Sequence, residues 1–419
     1  MNKAALLFAC VLASFSFASC GGGSTQQTIT RVLASQGVAS PTASPGVIVV
    51  NGTNDTLSRE FSAGNAPGLM AMSPNRATLL VFDTSNNKVE VVTTKTDALS
   101  GGIQLPGPTT SMIALSSGFG YAAVPNAPLN GAPPGALVVM NLSSGGVAST
   151  VSVPGAQTVV SSEDGSQLLV FSNDTDVITV VSPLLVNTGS QVTTTVTACT
   201  GCRPTYAVFS PDGSTAYILN CGAECSPGGP QASVQALDLA SLTLGTAVPV
   251  DGATIAFLSG STLYVVGNSV TNNACTGQTT AAKTCGRLDI LDLGSMTVTG
   301  TAAITDGYHD RIDMSNNGQL FIGSHTCTNV GNVNAPTGEV RGCLTIFNTT
   351  KGNIVIPPDN GDATGLQSFS TRYVEYVAQG GRLRVYDTTI DSLLLNTFIT
   401  TGTIVVTGEI IDVKAVDFF

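Results

Sequence analysis

The chain has two histidines, and both fall in or near its most chemically dense stretch. Tyr308-His309-Asp310-Arg311 sets an imidazole among a phenol, a carboxylate and a guanidinium, and His325 follows shortly after. Such a set suits a hydrolytic or lyase site in which His309 is the base and Asp310 orients it. Asp306, Asp310 and Asp362 add oxygen ligands of the kind calcium takes, although the chain reads as needing no cofactor. The plainer reading is that these groups hydrogen-bond nearby loop backbone. Cys199-x-x-Cys202 and Cys221-x-x-x-Cys225 have the spacing of a four-thiolate zinc site or of two local disulfides. Cys275, Cys285, Cys327 and Cys343 make the set eight, an even number that favours disulfides in an exported protein. No thioredoxin-like context surrounds the Cys-x-x-Cys to make it redox-active. Two histidines are too few for a multi-histidine copper centre. Neither a phosphate-binding Gly-Lys-Thr loop nor a Gly-x-Ser-x-Gly elbow occurs.

These residues must be positioned by strands. Val, Thr, Ile and Leu dominate, the 419 residues include 46 glycines, and helical periodicity is nearly absent. One unit recurs: an apolar strand, a turn, then a second apolar strand. Its clearest copy is Val208 to Asn220, turning at Ser210-Pro211-Asp212-Gly213. Weaker copies run Met70 to Phe82, Val159 to Phe171 and Ile312 to Gly323. Proline presets φ, the aspartate bonds local backbone and the glycine supplies positive φ, so these are turn residues. A long repeat of strands and turns is the mark of an all-β β-propeller with four-stranded blades. Seven complete units can be laid out from Gly68 onward, with strands left over at both ends. Gly46 to Gly64 reads as a third and fourth strand, and Glu409 to Phe419 as a first strand without successor. The two ends are therefore expected to share a hybrid closing blade, giving eight blades, with seven as the alternative.

Arg203-Pro204 leading into the Val208–Asn220 unit, then Leu237-Asp238-Leu239, resembles the YVTN-type β-propeller repeat. That resemblance implies a propeller fold and an exported or surface location; it implies no single activity. Quinoprotein propellers use a tryptophan floor, and this chain has no Trp. Lactonase-like activity, known among relatives of the repeat, remains open, but no matching His, Glu and Arg constellation can be carried over.

In such a ring the second-to-third-strand loops and the blade-to-blade connections emerge on one face. All eight of those cysteines, both histidines and the long insertions 125–135, 221–232, 268–286 and 324–342 map there. The opposite face is expected to carry only short turns. The blade layout also makes four local disulfides the simplest pairing: 199–202, 221–225, 275–285 and 327–343.

The first residues read as a targeting device. Lys3 precedes an apolar stretch ending Phe17-Ala18-Ser19-Cys20, which resembles a bacterial lipobox with Cys20 as the acylated residue. An ordinary secretory signal cut after Ser19 is the alternative. Residues 1–19 are read as signal, 20–45 as a flexible tether rich in Gly, Ser, Thr, Gln and Pro, and 46–419 as one propeller domain. Gly21 favours the outer over the inner membrane. Charged residues are 10% of the chain and the net charge is −11, with no Lys/Arg cluster, which argues against nucleic acid as a partner. The expected function is a lipid-anchored envelope scaffold that binds a protein, peptide or glycan through the bridged loop face. The alternatives are a hydrolase or lactonase-like enzyme near His309–Arg311, and a purely structural envelope protein.

Overall fold

The structure, a computed structural model, describes residues 30–37, 44–172, 174–270, 285–327, 342–357 and 361–417. They form a β-propeller of eight blades, each an antiparallel sheet. We name the strands of a blade a to d from the axis outward. The a-strands of blades 1 to 8 are Pro67–Met72, Ser111–Ala114, Ala156–Ser161, Pro204–Phe209, Ile255–Ser259, Tyr308–Met314, Ala363–Ser368 and Glu409–Val416. In blades 4 and 7 the d-strand is split into two short pieces that both pair with strand c.

Blade 8 joins the two ends of the chain. Its a-strand is Glu409–Val416, and its b-, c- and d-strands are Arg31–Gly37, Gly46–Asn51 and Thr56–Phe61. The first of these corrects the sequence reading, which gave residues 20–45 to a tether. Arg31–Gly37 pairs with both neighbours and buries Val32, Leu33 and Ala34 completely. Its Ser, Gln and Gly look like linker composition, but strand geometry requires only that the side chains fit between two sheets.

The middle strands explain why their sequences run apolar without alternation. Val47-Ile48-Val49-Val50 is buried on both faces, because each sheet packs against a neighbour on either side. The outer strand Thr56–Phe61 is largely exposed. The core is correspondingly divided into wedges, one in each gap between neighbouring blades. Leu33, Val47, Met70 and Leu79 meet between blades 8 and 1, while Ile48, Val50, Tyr376 and Val385 meet between blades 7 and 8. Each fully buried Val, Leu or Ile contributes about 1.5–3 kcal/mol, so the closing blade is held as the others are.

One expectation about the faces needs correction. The c–d connection of blade 3 runs from residue 182 to 193 on the face expected to hold only short turns, and it contains the helical turn Pro183–Val186. Tyr121 reaches across from blade 2 and donates its hydroxyl to Asn187 Oδ1 at 2.6 Å. Among the described residues no helix is long and apolar enough to cross a membrane.

Candidate functional site

The dense stretch lies on the a-strand of blade 6. There Tyr308 pairs with His325 and His309 with Ser324, after which the register shifts and Arg311 pairs with Gly323. Asp310 is the extra residue of a β-bulge, and a bulge re-aims the side chains around it. His309 turns inward and is fully buried. Its Nε2 meets the Thr305 carbonyl at 2.9 Å, and its own carbonyl accepts from Thr254 of blade 5 at 2.9 Å. Burial pushes its pKa down to about 4, against the Thr305 bond and the charges of Asp306 and Asp310. The expectation that His309 is a base oriented by Asp310 is thus overturned: the ring is fully buried and meets the Thr305 carbonyl. Asp306, expected to offer an oxygen ligand beside it, is also buried.

Asp310 serves His325 and Arg311 instead. His325 Nε2 lies 2.9 Å from Asp310 Oδ1, at charge-contact distance but out of line for a hydrogen bond, and Nδ1 lies 3.8 Å from Asp362 Oδ2. Asp362 Oδ1 accepts from the Thr326 backbone at 2.7 Å. Arg311 donates through Nη1 to Asp310 Oδ2 at 3.0 Å and through Nε to the Thr364 carbonyl of blade 7 at 2.7 Å. Asp310, Arg311, His325 and Asp362 are all partly open to solvent. The structure therefore brings four of the six expected site residues together, as an imidazole between two carboxylates beside a guanidinium. Gly307 permits the close packing: its φ is +99°, and a Cβ there would overlap the His325 carbonyl.

A residue the sequence reading missed lies nearby. Glu224 sits in the blade 4 b–c loop, on the 3-10 turn Gly222–Glu224. Its Oε1 accepts from Asn268 N at 2.9 Å and Asn268 Nδ2 at 3.2 Å. Burial outweighs these bonds and raises its pKa to about 7. Asn268 Nδ2 also donates to the Gly307 carbonyl at 2.5 Å, and the Glu224 and Asp310 charges both act on Tyr308. Blades 4, 5 and 6 are thereby joined at one rim. The only sequence signal was position, one residue before Cys225.

Disulfides flank this rim. Cys221 pairs with Cys225, Cys327 with Cys343 and Cys199 with Cys202. Cys285 is disulfide-bonded; Cys275, its expected partner, lies outside the described residues, as do Cys20 and most of the two longest insertions. The local pairs at 199–202 and 221–225 use the four thiols that the zinc alternative would need. Among the described residues no group of three or more His, Cys, Asp or Glu is arranged to hold a metal ion.

The turn residues stay out of the site. Ser210 Oγ meets Asp212 Oδ1 at 2.6 Å and accepts from Thr215 N at 3.0 Å. Ser73 with Asn75, Ser162 with Asp164 and Ser315 with Asn317 repeat this geometry on the opposite face. These bonds hold the Asp164 and Asp212 carboxyls below the usual range.

No protein-family model matches the chain, and no curated protein matches it either. Solved structures do. Dihydro-heme d1 dehydrogenase NirN, in complex with DHE, aligns over 92% of this chain and 75% of its own, with a TM-score of 0.62 and 11% identity. A putative 6-phosphogluconolactonase from Bacteroides fragilis aligns over 94% and 99%, with a TM-score of 0.55 and 11% identity. The β-propeller domain of Cps50 (Swd1) from Myceliophteria thermophila aligns over 77% and 96%, with a TM-score of 0.52 and 10% identity. At these identities the likeness is one of fold, and the chain is similar to these proteins as a β-propeller.

Proposed function

We propose that the protein is a lipid-anchored scaffold of the bacterial cell envelope, on the outer membrane, that binds a protein, peptide or glycan through the loop face of blades 4 to 6. The observation that carries this reading is the pairing of cysteines on that face around a partly exposed polar rim. A bridged loop has less conformational freedom to lose on binding, so more of the contact energy appears as affinity. Acylation of Cys20 would hold the ring at the membrane, since acyl chains contribute about 0.8 kcal/mol per buried CH₂.

The test is a photo-cross-linking residue placed in cells at Tyr308 on the loop face or at Ser214 on the opposite face. A discrete adduct from Tyr308, absent from Ser214 and weakened by Cys327→Ser with Cys343→Ser, is expected. Equal adducts from both faces, or none from either, would overturn the reading and leave the purely structural one. Mass spectrometry of the mature N-terminus decides acylation of Cys20.

A second reading rests on a separate observation. His325 between Asp310 and Asp362, with Glu224 near neutrality, has the composition of an acid–base site. The putative 6-phosphogluconolactonase among the similar folds makes lactone and ester hydrolysis the first chemistry to assay. Loss of any activity found in both Glu224→Gln and His325→Gln supports the enzyme reading, and retention in both removes it.

A further inference from the structure

The a-strands enclose a cavity of about 580 Å³ on the ring axis, lined by residues of every blade except blade 7. Its walls are unlike each other. Leu69, Ile113, Val208 and Phe257, from blades 1, 2, 4 and 5, are only partly buried although they stand at the centre of the molecule. Their open sides face the cavity. Apolar side chains left uncovered in a concave site are the usual lining for an apolar ligand.

Across from them the lining carries two cations, Arg311 of blade 6 and Lys414 of blade 8. No Asp or Glu lines the cavity among the described residues. That is a marked bias in a chain with 27 acidic and 16 basic residues. Both cations are held in place. Arg311 is fixed by Thr364 and Asp310 through Nε and Nη1, which leaves its Nη2 hydrogens without a partner among the described residues. Lys414 Nζ donates to Asp412 Oδ1 at 2.8 Å and the Val413 carbonyl at 3.1 Å. Asp412 is almost fully buried and spends its other oxygen on Met70 N of blade 1 at 2.8 Å. The carboxylates that balance the two cations, Asp310 and Asp412, are thus not among the lining residues, whereas both cations are.

We propose that the channel is a binding site for a small amphiphilic carboxylate, with the head group on Arg311 and Lys414 and the apolar body against Leu69, Ile113, Val208 and Phe257. The size is that of a cavity for a small organic ligand. Arg311 presents its remaining Nη2 hydrogens to a carboxylate, and Lys414 an ammonium held by Asp412. This site shares Arg311 with the loop-face cluster but takes its apolar wall and Lys414 from the ring axis, so Val208→Trp and Lys414→Met test it without touching the loop face.

Calorimetric titration with octanoate, 1-octanol and acetate tests the proposal. Octanoate is expected to bind with one-to-one stoichiometry, at least about tenfold tighter than octanol, and acetate to bind far more weakly than either. Arg311→Gln with Lys414→Gln should lower octanoate affinity to that of octanol. Val208→Trp, which fills the cavity from the apolar side, should abolish both. Octanoate binding no tighter than octanol, or unchanged by Val208→Trp, would overturn the site. Thermal unfolding establishes that each variant folds; if the double variant does not, Lys414→Met alone decides, and unchanged octanoate affinity there counts against the proposal.

Discussion

His309 and Glu224 are buried titratable groups with opposite shifts, and both contribute to how stability depends on pH. His309 is neutral in the fold, its pKa lowered from 6.5 to about 4. The unfolded chain therefore takes up a proton on this residue more readily than the fold does. Its contribution is present above pH 6.5 and is lost as pH falls towards 4, on the order of 3 kcal/mol by linkage. Glu224 is raised from 4.5 to about 7, so its contribution is present below 4.5 and is lost as pH rises towards 7. In the parent the two slopes oppose each other between pH 4.5 and 6.5. Urea unfolding across this window should show His309→Gln losing the acid-side decline and Glu224→Gln making it steeper. Identical pH profiles for parent and His309→Gln would refute the buried, bonded imidazole. The sequence marked the correct strand but the wrong ring. Alternation along a strand says which residues share a face, and the bulge at Asp310 breaks that alternation. Glu224 was hidden because its environment comes from Asn268, in the next blade.

At the scale of the element, two kinds of turn make the blades alike. The a–b turns use the serine-to-Asx bond just described, and the Pro-Asp-Gly copy was readable because proline and glycine signal their own geometry. The c–d turns use a strand-end Asx whose oxygen accepts the following backbone N–H groups: Asn141 from Ser143 and Ser144, Asp238 from Ala240 and Ser241, Asp292 from Gly294 and Ser295. Four residues after each strand-end Asx comes a left-handed residue: Gly145, Leu242 and Met296. Leucine and methionine rarely adopt that region, so only the surrounding ladder reveals these turns. Each turn should matter modestly. Ser210→Ala strips the acceptor from Thr215 N and the partner from Asp212, and is expected to cost about 1 kcal/mol. Ser73→Ala should cost a similar amount, because its bonds are the same. A shift in the urea midpoint without a change in slope is the expected signature.

For the whole molecule the critical step is closure, because an open ring would expose unpaired strands on both sides of the gap. The sequence showed that the two ends share a blade; it hid the strand Arg31–Gly37 inside a linker-like composition. It also gave no hint that a chain with so few charges concentrates ion pairs at this blade. Arg31 and Arg59 of blade 8 both reach Asp97 in the c–d turn of blade 1. On the other side, Asp55 of blade 8 is buried and takes Arg372 of blade 7 through both oxygens, at 2.7 and 2.8 Å. Tyr376 also donates to Asp55, and Asn396 does so at 3.2 Å. Removing one partner of such a buried pair leaves a charge without compensation, whereas replacing both with apolar groups can be neutral. Asp55→Ala is therefore expected to destabilise the protein by about 3–5 kcal/mol. The loss should appear first at the closing blade, as faster proteolytic release of a fragment ending near residue 65. Asp55→Leu with Arg372→Met should recover most of that stability and slow the release. If Asp55→Ala instead unfolds all blades together, with no early N-terminal cut, the ring is a single cooperative unit and the latch is not its weakest joint.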